Sequence, residues 1–341
     1  MLWPEFCAGA YTTRSQNIDA EGLINLYVET TDAASNPKKT VLYGTPGLIP
    51  LVTTAATVCR GMFSHDGRHF AVVGPTLYEL TLSGSGPTMT ATATNRGTMT
   101  TDGTPVYFAI NGRGGNQLLI SATGLVYVFN LTTNILGAAL TLPLTNLAGQ
   151  VFFLNSYFLL VERTSLNIWF SKFEDGTSWP GLNFFSRSNA SDNIVGAAVL
   201  HDQIRVFGSK TSEIFYNVGE ADYPFLPYQG TLVEMGAVDA ASIGMVGDAV
   251  AFLSKTEWGV CKVMLWGAGA PAAISTPAVE FALASSSTVS DGEVLAYEQE
   301  GHPFLTWTFP TADVTWSYDV REHQWHQRAR WNPADNTLHK W

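Results

Sequence analysis

Histidine and cysteine are the residues that most often hold a metal, and their spacing in this chain argues against a metal site. His323 and His326 stand three residues apart, which in a β-strand directs the two side chains to opposite faces of the sheet. The cysteines are Cys7, Cys59 and Cys261, an odd number with wide spacing and no CxxC pair. We therefore expect free, buried thiols, no disulfide framework, no metal and no cofactor.

Patterns for nucleophilic or acid–base catalysis are equally weak. The chain has no Gly-x-Ser-x-Gly elbow, and the glycines of 112–116 join two predicted strands, which favours a hairpin loop over a phosphate site. The segment Asp175-Gly176-Thr177-Ser178-Trp179 resembles the structural Asp-box of sialidases, with Asp and Gly adjacent rather than separated. A glycosidase needs paired carboxylates. Because arginines to bind an acidic sugar are few and scattered, we predict no enzyme; a propeller glycosidase or lyase remains an alternative.

The elements that would position these residues are β-strands. Runs of about five residues rich in Val, Ile, Phe, Tyr, Trp and Thr are separated by Gly, Asn, Asp and Pro, which is typical of an all-β chain. Six pairs of runs recur, and equivalent positions in them lie 42 to 53 residues apart. The pairs are 70–73 with 77–80, 118–120 with 126–129, 157–161 with 167–170, 204–207 with 214–216, 250–253 with 260–264, and 304–307 with 314–318.

A weak repeat of this length is the period of a β-propeller. Many runs are continuously apolar, as expected of strands buried on both faces between neighbouring blades. We therefore predict an all-β fold with a β-propeller-like body of about six weakly repeated blades; two β-sandwich domains are the alternative.

The organisation along the chain has two parts. Residues 1–38 read as an extended N-terminal arm and loop, and 39–341 as the propeller. Strands from both chain ends complete one blade of a closed propeller, and we predict 40–43 and 325–329 for this role. The stretch 330–341 holds two Trp and no polar tail, so the C-terminal end is interpreted as truncated or docked on another molecule.

Composition restricts the function. Only 14% of residues are charged, the net charge is −11, and 46% are hydrophobic. These values exclude a disordered chain, and the scarcity of cations argues against tight binding to a phosphate backbone. Much of the surface must be neutral and polar, or covered by another protein.

Two segments are candidates for such contacts. The arm either wraps on its own propeller or contacts a neighbouring subunit. In Tyr223–Tyr228 two prolines exclude a central strand, which predicts a long apolar loop at a blade edge that either folds over its own blade or contacts a partner. The candidate assembly contacts are Tyr11, Arg14, Asn17, Tyr27, Tyr223, Phe225 and Tyr228.

Several short motifs, in order along the chain, resemble one known family. They are Tyr11-Thr12-x-Arg14-Ser15-x-Asn17-x-Asp19, Asn25-Leu26-Tyr27, 42–48 (LYGTPGL), Asp175-Gly176-Thr177-x-Trp179, 193–196 (NIVG), Val206-Phe207-Gly208, Thr211-x-Glu213-x-Phe215-Tyr216-Asn217-x-Gly219, 221–225 (ADYPF), and Tyr318-Asp319 with Trp325. The chain thus resembles the packaged-DNA stabilisation family, the tail hub or nozzle proteins of short-tailed bacteriophages.

The resemblance implies a non-enzymatic virion protein of the tail, assembled in the host bacterial cytoplasm. Such proteins form a ring, expected here to be a hexamer, below the portal or head-tail adaptor. The ring continues the channel through which double-stranded DNA passes without specific binding, helps to retain the packaged genome, and carries tail spikes or fibres and a needle or plug. A monomeric binding scaffold is the further alternative.

Overall fold

The computed structural model describes residues 11–12, 20–31, 39–55, 58–112, 114–220, 223–255, 259–286 and 288–341. The chain forms two compact units. One combines the chain up to residue 47 with 209–211 and 233–341, and the other comprises 48–208 and 212–232. The boundary after residue 47 lies nine residues beyond the end of the predicted arm.

The regular secondary structure of the described residues is almost entirely antiparallel β-sheet. The strands, in chain order, are β1 (Tyr11–Thr12), β2 (Ala20–Glu21), β3 (Leu26–Thr31), β4 (Lys39–Gly44), β5 (Cys59–His65), β6 (Arg68–Val73), β7 (Thr76–Ser83), β8 (Thr90–Thr98), β9 (Tyr107–Ile110), β10 (Gln117–Ala122), β11 (Leu125–Asn130), β12 (Ile135–Leu136), β13 (Ala148–Leu154), β14 (Tyr157–Glu162), β15 (Asn167–Phe170), β16 (Phe184–Ser186), β17 (Ile194–Leu200), β18 (Gln203–Gly208), β19 (Ser212–Asn217), β20 (Phe225–Pro227), β21 (Gly244–Val246), β22 (Ala249–Lys255), β23 (Cys261–Trp266), β24 (Ala272–Ala273), β25 (Glu293–Gln299), β26 (His302–Phe309), β27 (Val314–Asp319), β28 (Gln324–Asn332) and β29 (Thr337–Lys340). Two short 3-10 helices span Gly86–Thr88 and Ala240–Ser242, and the helix α1 spans Pro277–Ser285.

The unit of 48–208 and 212–232 contains four sheets of four strands, β5–β8, β9–β12, β13–β16 and β17–β20. Alternate residues of one strand pack on opposite neighbouring sheets, as β10 shows. Leu118 and Ile120 pack against β6 and β7 in one core cluster, whereas Leu119 packs against β14 in another. In the same way, Leu159 and Val161 of β14 face β18 of the fourth sheet. Burial on both faces explains why these strands are continuously apolar.

Tight turns set the register of the strand pairs. The residues at the Asp66-Gly67 turn both have positive φ, 46° and 74°, and so do Thr123 and Gly124, at 56° and 75°. Two consecutive residues with positive φ form the type I′ turn, whose twist matches that of antiparallel strands. The glycines after Ile110 form a hairpin loop, as predicted, with Gly115 N donating to Gly112 O over 2.7 Å.

The other unit, which combines the chain up to residue 47 with 209–211 and 233–341, contains a four-stranded sheet β21–β24, a five-stranded sheet β25–β29 and the hairpin β3–β4. Leu253 of β22, Trp307 of β26 and Trp316 of β27 share one core, which also includes Val279 of α1. The helix α1 was not predicted, because its residues show little helical periodicity. Thr276 caps it by accepting a hydrogen bond from Val279 N, and a proline opens its first turn.

The prediction that residues 40–43 and 325–329 meet to complete one blade is wrong. The strand β4 pairs with β3 and not with 325–329. Instead, Ile24 forms a parallel bridge to Gln327 of β28; Asn25 N donates to Gln327 O over 2.9 Å, and Gln327 N donates to Leu23 O over 2.8 Å. The chain ends do meet, through residues 23–25 and not through the predicted 40–43.

The predicted fold class is confirmed. All six predicted strand pairs are present, in six sheets of four or five antiparallel strands that correspond to six propeller blades. The prediction for 223–228 needs one correction, because Phe225–Pro227 is the short outer strand β20, paired with β19. The prolines exclude a central strand but are compatible with an edge strand, where one side needs no hydrogen bonds.

Candidate assembly site

The predicted contact residues of the arm fall into two groups. Arg14 and Asn17 lie outside the described residues, and of Tyr11 the structure describes only the backbone, which pairs with Glu21. Tyr27 is only 2% exposed. Its hydroxyl donates to Glu300 Oε2 over 2.8 Å, and its ring meets that of Phe304 edge-on. Burial, followed by the hydrogen bond to Glu300, raises the pKa of Tyr27 to about 12.

Tyr27 is therefore a core residue of its own subunit and not a surface contact. It packs the hairpin β3–β4 against β26, because one aromatic ring covers apolar neighbours while its hydroxyl keeps a hydrogen-bond partner.

The segment Tyr223–Tyr228 divides in the same manner. Phe225 is 2% exposed and packs against Tyr157, Phe170 and Phe185, with ring centroids 5.2 to 6.1 Å apart. Tyr223 and Tyr228, in contrast, are 64% and 52% exposed. Phe225 thus anchors the segment to its own unit.

The anchored segment presents apolar side chains outward. Leu226, which lies between the two tyrosines in the sequence, is 43% exposed, and the Tyr228 ring rests edge-on against Tyr216 at 5.5 Å. Exposed tyrosine supplies large contact area at low entropic cost, which makes such residues frequent interface anchors. Tyr223, Leu226 and Tyr228 form what we call the tyrosine edge.

A second exposed apolar segment was not singled out from the sequence. In the connection between β4 and β5, Leu48 and Ile49 expose more than half of their surface, and Leu51 and Val52 more than a third. The signal was present as an apolar run interrupted only by Pro50. Backbone contact to the sheet includes Ala91 N donating to Leu51 O over 3.4 Å.

Other motif residues have structural roles in buried charge networks. Arg187 Nε donates to Glu213 Oε1 over 2.9 Å, with both side chains at most 2% exposed. A Cβ added at Gly208 would lie 2.1 Å from Arg187 Nη1 and from Asp192 Oδ2. The glycine of the Val206-Phe207-Gly208 motif thus leaves room for the Arg187 guanidinium and the Asp192 carboxylate, and the Glu213 of the following motif accepts a hydrogen bond from the same arginine.

The Asp175-Gly176-Thr177 motif forms a turn between β15 and β16. Asp175 Oδ1 accepts hydrogen bonds from Thr177 N and Thr177 Oγ1 at 2.9 and 2.6 Å, and the Trp179 indole donates to Gly176 O over 2.8 Å. Although burial disfavours the carboxylate, these bonds lower the pKa of Asp175. Its Oδ1 is occupied by the turn, which fits a structural role.

Glu162 is a second buried carboxylate whose oxygens accept hydrogen bonds from uncharged donors. Its Oε1 accepts from Thr145 N and Asn146 N, both at 2.7 Å, and its Oε2 accepts from the Trp169 indole at 3.0 Å. These donors outweigh burial and lower the pKa of Glu162. The carboxylate ties the connection before β13 to β14 and β15.

Metal-binding clusters and cysteine thiols are the remaining groups that could carry chemistry. Among the described residues, no group of three or more His, Cys, Asp or Glu could hold a metal ion. Burial raises the pKa of the free Cys261 thiol to about 11, which keeps it protonated and unreactive. The expected burial is wrong for Cys59, which is exposed. In the described part of the chain no helix is long and apolar enough to cross a membrane.

Solved structures share this fold at low sequence identity. A "putative 6-phosphogluconolactonase" from Bacteroides uniformis matches with a TM-score of 0.55 and 12% identity, covering 92% of this chain and 93% of that one. A protein of the same description from Bacteroides fragilis matches with a TM-score of 0.54 and 12% identity, covering 92% of each chain. At such identity the likeness establishes the fold alone.

The family comparison is more specific. No curated protein matches the chain. A family of phage stabilisation proteins, described as Bacteriophage P22 Gp10, beta-propeller, matches residues 5–340. The match spans both units and all six blades, in agreement with the motifs and with the sheets. The chain therefore belongs to this phage stabilisation family and is a structural protein of a bacteriophage.

Proposed function

We propose that this protein is a tail hub, or nozzle, protein of a short-tailed phage. In this proposal copies of the chain, six by expectation, form a ring attached below the portal or head-tail adaptor in the virion tail after assembly in the host cytoplasm. The ring continues the DNA channel, helps to retain packaged DNA, and carries spikes or fibres and a needle or plug. The observation that carries the proposal is the family match over 5–340.

The placement of the cations supports a channel that does not bind DNA. Several arginines are buried. The side chains of Arg60 and Arg187, and the whole residue Arg328, are at most 1% exposed. Arg60 donates to backbone oxygens and Asp102, and Arg328 lies 5.0 Å from the ring centroids of both Phe304 and Trp341. Arginines used inside the fold cannot neutralise phosphates, so the few cations of the chain are even fewer at its surface.

The tyrosine edge supports the ring. A protein of net charge −11 repels its own copies, and an uncharged, partly aromatic edge allows contact without burying unpaired charge. We therefore assign Tyr223, Leu226 and Tyr228 to the contact between subunits, with Leu48 and Ile49 as further candidates.

The mass of the purified assembly tests the ring. Native mass measurement and electron microscopy should show a ring, and six copies would match the expectation; a monomer at all concentrations, with or without a portal or adaptor protein, would contradict the proposal. Replacing Tyr223 and Tyr228 together by Ser should weaken assembly at least about tenfold, since two interface anchors at about 1–2 kcal/mol each are lost. Leu182→Ser, at a residue that is 84% exposed elsewhere in the same unit, is the control and should assemble normally.

Duplex binding tests the channel. Anisotropy of a labelled duplex should show a Kd no tighter than about 10⁻⁴ M near physiological salt, the weak end of non-specific binding. If the Kd is micromolar and the affinity falls steeply as the salt concentration rises, the surface binds phosphates. This result would contradict a channel that does not bind DNA.

A further inference from the structure

The last hairpin of the described chain extends beyond the sheet from which it starts. The first half of β28 pairs with β27, whereas Ala329–Asn332 pairs with β29. Trp331 and Leu338 stand opposite each other in this register, and each exposes about half of its surface. The hairpin thus presents the Trp331 side chain to solvent. The contacts that hold the hairpin in place also fix the position of Trp331.

The hairpin is held at one histidine. His339 of β29 contacts two carboxylates at once: its Nδ1 lies 2.5 Å from Asp313 Oδ2, and its Nε2 lies 2.7 Å from Asp335 Oδ2. Asp313 belongs to the turn between β26 and β27, and Asp335 to the turn between β28 and β29. A neutral imidazole carries one N–H and can donate to only one of them, whereas the imidazolium can donate to both.

The other charged and polar groups around His339 modify this arrangement without replacing it. Lys340 Nζ lies 3.4 Å from Asp313 Oδ1, and Arg330 stands opposite His339 in the strand register. Both cations oppose a further positive charge. Asp335 Oδ1 accepts from Thr337 Oγ1 over 2.8 Å, which orients this carboxylate for its bond to the ring.

We infer that His339 is a pH-dependent clasp, which holds the β28–β29 hairpin on the β26–β27 turn while its imidazole is protonated and loosens it on deprotonation. This role is independent of any tail function, because it needs only the two carboxylates and the ring between them.

The direction of the pH effect follows from linkage. The hydrogen bonds to Asp335 and Asp313 raise the pKa of His339 above its usual 6.5. A raised pKa in the folded state means that the stabilisation is complete below 6.5 and is lost as the pH rises through the folded-state pKa. On the acid side the pKa of Asp335 is lowered from 3.8 to about 2, so its contribution is lost only as the pH falls toward 2. The clasp is therefore closed below pH 6.5 and opens as the pH rises through the raised pKa of His339.

Amide hydrogen exchange at β29 tests the clasp in the full chain. Protection of 337–340, corrected for the intrinsic effect of pH on exchange, should fall at least about threefold between pH 6.0 and pH 8.5 while that of β26 stays constant, since the lost linkage acts on the hairpin alone. His339→Gln should abolish this pH dependence and leave protection at or below the high-pH value. His323→Gln is the matched control, because His323 bonds the neutral Tyr318 hydroxyl in the same sheet, and it should keep the wild-type pH dependence.

Proton NMR of the His339 ring separates the clasp from a purely structural role. The midpoint of its titration should lie above 6.5 and should fall in Asp335→Asn, which retains the size of the side chain but removes the charge. A pH dependence of β29 that persists in His339→Gln, or a midpoint that Asp335→Asn leaves unchanged, would overturn the inference.

Discussion

The buried pair of Arg187 and Glu213 allows a quantitative test of the structure. Removing one partner of a buried ion pair leaves an uncompensated charge and costs about 3–5 kcal/mol of the free energy of unfolding. Glu213→Ala would leave the Arg187 guanidinium with Asp192 Oδ1 at 3.7 Å as a weaker partner, so we expect the low end, about 3 kcal/mol. Replacing both residues, as Arg187→Met with Glu213→Leu, removes both charges of the pair but leaves Asp192, which is 11% exposed, without its arginine, so it should cost no more than Glu213→Ala alone, about 2–3 kcal/mol.

Urea unfolding followed by tryptophan fluorescence measures these differences, provided that all variants share the slope m of the wild type. Lys262→Ala is the control: Lys262 Nζ lies 3.8 Å from Glu280 Oε1, the lysine is more than a third exposed, and such a pair is worth at most about 1 kcal/mol. A loss below about 1 kcal/mol for Glu213→Ala would show that the pair is solvated, and a double variant that is clearly less stable than Glu213→Ala would show that the two charges do not depend on each other.

Three further outcomes follow from the same structure. Gly208→Ala should destabilise by at least about 2 kcal/mol, because its Cβ would displace the Arg187 guanidinium; thermal unfolding measures this, and a neutral substitution would refute the close approach. Glu162→Gln should cost about 2–4 kcal/mol at pH 7, because an amide NH2 must face an N–H donor. Since the pKa of Glu162 is lowered when folded, the difference between wild type and variant should shrink as the pH falls through that value in pH-dependent melts, and a constant difference would argue against it. A maleimide at pH 7.5 should label the exposed Cys59 and spare the buried Cys261 in the native protein; equal labelling would contradict the assigned burial.

Much of the fold could be predicted because it is encoded locally. Strands such as Leu118–Ile120 and Val126–Phe129 are apolar runs separated by a turn, Thr123-Gly124, whose residues tolerate positive φ. A repeat of such pairs at the length of a propeller blade then implies sheets that bury both faces against their neighbours.

The exposure of the candidate contact residues could be predicted only in part, because burial depends on partners far away in sequence. Tyr27 and Tyr223 both lie in apolar stretches, yet Glu300 and Phe304 cover the first, and the second is open to solvent. Phe225 differs from its exposed neighbours in packing against Tyr157, Phe170 and Phe185.

By itself, the sequence determined the strand pairs, the six-blade period, the low charge and the family, since these depend on residue types and on local spacing. Only the tertiary structure decided which ends of the chain meet, where the parallel bridge from Ile24 to Gln327 joins segments some 300 residues apart. It likewise decided that Gly208 must be a glycine, and that His339 lies between two carboxylates. Each of these depends on side chains brought together by folding, and no local pattern in the chain encodes their distance.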